Sequence, residues 1–193
     1  MRVNAGSFGA VDILIAKSEN SAHHFFSGAK SPEARKGAGS MEAPKLEFAF
    51  EARMEVGPTC EGGETADGRR HVMPILGGTV AGPRLFATVL PGGADWQVVR
   101  ADGFTSQVAR YSLQAVDGTL ISVVSRGVRH GPPEEMRRLE AGEEVDPTLI
   151  YFRCTASFEA PEDSAHAWLN RHVLVATGER QPDTMVARFW TVA

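Results

Sequence analysis

Ser106 to Val128 reads SQVARYSLQAVDGTLISVVSRGV. Two segments that alternate apolar and polar residues flank Asp117-Gly118, a pair suited to the positive-φ positions of a two-residue hairpin turn. The pattern extends in both directions. Upstream, KLEFAFEARMEV (Lys45 to Val56) sets Leu46, Phe48 and Phe50 on one face and Glu47 and Glu51 on the other. HVMPILGGTV, RLFATVLP and DWQVVR follow, and TLIYFRCTASFEA, NRHVLVATGE and TMVARFWTV lie downstream. AGP, GGA, ADG and DG punctuate them. About eight or nine strands at regular spacing predict an all-β antiparallel barrel or sandwich. GPTCEGGETADGRR, polar and glycine-rich, is expected to be a loop. One short helix is expected in GPPEEMRRLEAGEEV: Pro132-Pro133 suits its start, Glu134 and Glu135 favour the positive end of its dipole, and Gly142 suits its stop.

The 193 residues are 42% hydrophobic and 23% charged, with a formal net charge of −4, which suits one globular domain. That charge argues against nucleic acid as a partner. No apolar run approaches the roughly 20 residues of a membrane helix. Two cysteines without C-x-x-C spacing read as reduced thiols, and a cytoplasmic location is expected. Residues 1–40 lack periodicity and are expected to be a disordered extension, translated from a start placed too early. Met41 is the expected natural start of a single domain over 41–193.

Familiar cofactor signatures are missing. GGTVAGPRL and LPGGADW have neither G-x-G-x-x-G spacing nor a following helix, and no G-K-[ST] occurs. Gly92-Gly93 is therefore expected to let the chain reverse between two strands. The six histidines show no metal-ligand spacing. No G-x-S-x-G elbow is present, and Cys154 reads as a small core residue. Neither a cofactor nor a metal is expected.

Four blocks in order, PILGGTVAGPRLFATVLPGGADWQVVRADG, ARYSLQAVDGTLISVVSRGVRHGPPE, YFRCTASFEA and WLNRHVLVATGER, resemble the domain-of-unknown-function family 3237. The resemblance spans about Lys45 to Val192. It implies a closed antiparallel β-barrel, often paired as a homodimer. For some members it implies cofactor-free decarboxylation of lignin-derived phenolic acids.

A barrel of this size holds one small ligand, so the polar residues that face inward matter. Tyr151, Arg153 and Thr155 share one face of their strand; Ile150, Phe152 and Cys154 share the other. Alternation leaves open which face is inward, and the resemblance favours Tyr151 and Arg153 lining a pocket. Arg110 and Tyr111 point oppositely. Arg126 and Arg129 bracket RGVRHG, and any inward arginine needs a carboxylate partner, for which Asp95 is a candidate. Asp95 itself either bonds its own turn or projects into the barrel mouth. Trp168 reads as core or stacking wall, and Asn170 as an orienting amide or turn residue.

Two functions follow. In the first, a cofactor-independent lyase, decarboxylase or isomerase acts on a small aromatic or carbonyl-bearing acid. Asp95, Tyr151 and Arg153 are then the catalytic set, with Arg110, Tyr111, Arg126, Trp168 and Asn170 binding substrate. The alternative is a non-catalytic barrel that binds a small ligand.

Overall fold

The computed structural model describes residues 42–193. The expected extension and the start at Met41 lie outside the described residues. Ten strands occur in order: β1 (Leu46–Val56), β2 (Cys60–Thr65), β3 (Gly68–Ala81), β4 (Ala87–Val89), β5 (Gly93–Val99), β6 (Thr105–Ala115), β7 (Leu120–His130), β8 (Tyr151–Glu159), β9 (Leu174–Arg180) and β10 (Thr184–Val192). One α-helix, α1 (Pro133–Glu140), joins β7 to β8. Every pairing is antiparallel. The sheet runs β1-β10-β9-β8-β7-β6, continues through β4 and β5 to β3, and closes where β3 pairs with β1. This is a closed barrel of eight strand positions with two extra strands.

Alternation decides what fills it. Phe50, Met73, Leu113, Ile121, Val123, Phe152, Phe158, Leu174 and Phe189 are buried. They point inward from a period-two pattern and form one core. The hairpin expected at Asp117-Gly118 is present but wider than a two-residue turn: the amide of Ala115 bonds the Thr119 carbonyl, so Val116, Asp117 and Gly118 form the connection, with Gly118 at φ +88° and its amide on the Ala115 carbonyl. In α1, Met136 and Leu139 are the buried pair, Glu134 and Glu135 occupy the first turn, and Gly142 follows at φ +79°. Among the described residues no helix is long and apolar enough to cross a membrane.

Three expectations fail. Leu46, Phe48 and Phe50 do not share one face: the register against β10 shifts between Phe48 and Phe50, so Phe50 is buried while Leu46 and Phe48 are exposed. GPTCEGGETADGRR is not a loop: β2 pairs with β3 as a hairpin outside the ring. All six of its strand residues are exposed, so it carries no apolar alternation to betray it. Nor does the chain reverse at Gly92-Gly93. β4 and β5 run the same way along β3, with Val89 opposite Gly78 and Gly93 opposite Ile75. Four steps on one strand thus meet three on the other, and Leu90-Pro91-Gly92 is a bulge in one interrupted strand.

Across the same level β3 changes phase. His71, Met73 and Ile75 are buried at odd positions, whereas Val80 is buried at an even one. The register against β1 slips between Glu55 and Val56, where Gly77 gives way to Ile75 as partner. Gly78 sits at φ +141°, and a Cβ there would overlap the Arg53 carbonyl oxygen across the seam. Gly78→Ala is expected to cost about 3 kcal/mol or more, because it combines strain with a backbone clash. Gly118→Ala, with open space around it, should cost only about 1 kcal/mol. Urea unfolding of both variants checks the contrast; equal losses would remove the seam's special role.

Candidate functional site

Register carries a line of side chains around the inside of the barrel. Met73, Asp95, Ala109, Ser125, Ala156 and Leu174 are successive cross-strand partners. The adjacent inward line is His71, Gln97, Gln107, Gly127, Cys154 and Ala176. Polar residues thus gather on β5, β6 and β7 opposite an apolar wall that includes Phe152, Met185 and Phe189. Between them lies a cavity of about 30 Å³, bordered also by Asp95, Gln107, Tyr111 and Cys154.

Asp95 is 3% exposed and belongs to the strand, not to a turn. Gln97 donates to its Oδ2 at 2.7 Å. Its Oδ1 has no hydrogen-bond partner among the described residues. The same holds for Gln107 Oε1, Arg129 Nε and Arg180 Nη1. Folded proteins pair nearly all buried polar atoms, so this concentration at one end of the lumen is unusual.

Burial pushes the Asp95 carboxyl above the usual carboxylate range, and Gln97, Arg129 and Arg180 only partly oppose it. Arg129 is held below its ordinary value, chiefly by burial, while Asp95 works the other way. Arg180 is lowered by burial too. Tyr111, buried beside Cys154 and Asp95, is raised and stays a neutral phenol. Burial also pushes the Cys154 thiol up to about 11, which makes it a poor nucleophile at neutral pH. The site therefore offers a proton-exchanging carboxyl, a hydroxyl donor and two guanidinium groups.

Both ends of the barrel are covered. At the cationic end, Leu139 of α1 and Val145 lie over Arg129 and Arg180, and Arg69 binds Glu140 at 2.8 Å. At the other end Leu85 and Leu169 are buried, and the Arg84 guanidinium stacks on Trp168 at 3.7 Å.

The residues singled out from sequence separate into several places. Asp95 and Tyr111 face the lumen. Tyr151 and Arg153 do not: their face of β8 is the outer one, and Phe152, Cys154 and Ala156 point inward. The physical reason is that the apolar face of β8 is needed to fill the core. Tyr151 is 47% exposed and stacks on His130 at 4.8 Å, and Arg153 donates to the Phe152 carbonyl oxygen at 2.8 Å. Arg110 and Arg126 are also exposed on the outside. Trp168 belongs to the end cap. Asn170 bonds both the amide and the carbonyl of Ala160, so it ties a loop. The inward arginines are Arg129 and Arg180. Arg129 was legible as the next inward position after Ser125 and Gly127; Arg180, Gln97 and Gln107 drew no attention because they lie in no motif. Among the described residues no cluster of His, Cys, Asp and Glu suits a metal ion.

Residues 44–192 match the family described as "Protein of unknown function (DUF3237)". A UPF0311 protein of Rhodopseudomonas palustris is 37% identical over 145 residues, covering 74% of this chain and 94% of the relative. A crystal structure of a protein of unknown function from Rhodopseudomonas palustris superposes with a TM-score of 0.75 at 33% identity, covering 79% of this chain and 99% of that one. An enzyme from Penicillium herquei shares the fold at 22% identity and a TM-score of 0.57, covering 79% and 96%.

Because the folded state holds the Asp95 proton to higher pH than the unfolded chain does, it binds more protons between the two values, and stability falls as pH rises through that window. Asp95→Asn removes this contribution. Thermal melts from about pH 4 to about pH 8 should show a shallower loss for the variant than for the parent protein; parallel profiles would mean Asp95 does not titrate with a raised value.

Proposed function

The chain belongs to the DUF3237 family, and from the chemistry of its lumen we propose that it is a proton-transfer enzyme, a lyase or isomerase of small carbonyl-bearing or aromatic acids, with Asp95 as the acid–base group. The observation that carries this reading is the buried Oδ1 of Asp95, without a hydrogen-bond partner among the described residues, as are Gln107 Oε1, Arg129 Nε and Arg180 Nη1. Asp95 and Tyr111, both strongly perturbed by burial, border one cavity, which makes them candidates for catalysis. That a barrel of the same fold from Penicillium herquei is described as an enzyme supports catalysis on this scaffold.

In the isomerase direction, ionised Asp95 takes a proton from the carbon beside a carbonyl, and the C–H electron pair moves onto the carbonyl oxygen. The Tyr111 hydroxyl donates to that oxygen, and protonated Asp95 returns the proton at another carbon. In the lyase direction, protonated Asp95 delivers its proton to a side-chain carbon of a phenolate acid. The carboxylate then leaves as carbon dioxide, and its bonding pair restores the unsaturation. Arg129 and Arg180 hold the substrate's carboxylate in either case. The cavity of about 30 Å³ accommodates no more than about two waters, so the barrel must open to admit substrate.

Turnover of a panel of phenolic and keto acids, followed by substrate loss and carbon dioxide release, tests the assignment. Asp95→Asn should lower kcat about 100-fold or more, and Tyr111→Phe should also slow the reaction. Tyr151→Phe, altered only on the outer face, should stay within about twofold, well below the cost of losing a positioned acid or base. A panel without turnover, or full activity in Asp95→Asn, would sink the proposal.

A further inference from the structure

The outer wall carries a second, larger concavity of about 750 Å³ over β5 to β10. Its floor follows from the register. Trp96, Val108, Arg126, Thr155, Val175 and Trp190 are successive cross-strand partners on the outside of six strands. A tryptophan thus stands at each end of the line and an arginine near its middle. In the neighbouring line Val128 pairs with Arg153, which sets Arg153 diagonally across from Arg126 on the adjacent strand. Diagonal partners of this kind have Cβ atoms about 7–8 Å apart, within reach for long side chains.

Two cations placed so on one sheet face repel unless an anion lies between them. None is supplied by the described residues. Arg70, Arg126 and Arg153 border the concavity, and no Asp or Glu does among the described residues. Arg70 is bound to Asp67 at 3.0 Å. Among the described residues Arg153 donates only to its neighbouring carbonyl oxygen, and it lies over the Tyr151 ring. Arg126 has no ion-pair partner among the described residues. Around these charges the surface is apolar, and Trp96 is 45% exposed. The volume falls within the range of pockets that take small molecules. It occurs in a chain whose net charge is −4, so the positive site is local.

We propose that this concavity is a binding site for a small aromatic carboxylate, its ring against Trp96 or Trp190 and its carboxylate shared by Arg126 and Arg153. It lies on the opposite face of the sheet from the lumen, and Gln107, Cys154 and Ala176 border both. An arginine fork suits a planar carboxylate, and an indole face suits an arene.

The test is titration of the full chain carrying Trp168→Phe, so that the two remaining tryptophans report, with 2-naphthoate. Saturable fluorescence change is expected, with at least tenfold weaker binding in Arg126→Gln/Arg153→Gln and at least tenfold weaker binding of uncharged 2-naphthamide. Asp95→Asn should bind as the parent does. Equal affinity in the arginine double variant overturns the proposal. So does loss of binding in Asp95→Asn alone, which would place the ligand in the lumen. Sedimentation of the unliganded protein supplies the remaining arm. A dimer that the arginine double variant dissociates would assign the face to a second copy and overturn the small-molecule site.

Discussion

Closure of β3 onto β1 is the constraint on which the rest of the barrel depends. A sheet of eight strand positions has two edges until its first and third strands meet. Here they meet only because the backbone of Gly78 lies against the Arg53 carbonyl, at a distance no side chain allows. The one-residue slip at that level also rephases β3, so that His71, Met73 and Ile75 before it and Val80 after it all face inward. Without the slip, half of that strand would turn its apolar residues to water. Closure and core filling are therefore one event, and the Leu90–Gly92 bulge of the neighbouring strand accommodates it.

Most of the architecture was legible because it depends on alternation, and alternation is local. β6 and β7 each show their buried face directly, whereas a register shift between Phe48 and Phe50 interrupts the alternation of β1. Asp117-Gly118 announces its hairpin by the backbone conformation it tolerates. β2 escaped notice for the complementary reason: both its faces meet water, so it carries no apolar period. Gly92-Gly93 misled because glycine pairs serve reversals and bulges equally, and only pairing partners distinguish them.

The site was less legible. Period two shows that Tyr151 and Arg153 share a face, but not whether that face is inside, and two polar groups suggested a pocket where packing demanded Phe152. The residues that line the lumen with Asp95 come from strands far apart in sequence. Gln97, Gln107, Arg129 and Arg180 are unremarkable singly and become a set only when register aligns them. Arg126 and Arg153, expected to serve a site in the lumen, stand instead on the outer face as diagonal neighbours of adjacent strands.

The cover that α1 forms over the cationic end sets a thermodynamic condition on whatever reaches Asp95. On the proposed reading, entry at this end requires Leu139 and Val145 to leave apolar contacts and Arg69 to release Glu140. The receptive state is then distinct from the closed one. A ligand's apparent affinity is its intrinsic affinity multiplied by that state's population. A change far from the lumen that loosens the helix would tighten binding inside it, and one that anchors the helix more firmly would weaken binding, with no lumen contact altered. The barrel's selectivity then rests partly on the energy of opening, which every ligand meets before any contact with the polar wall.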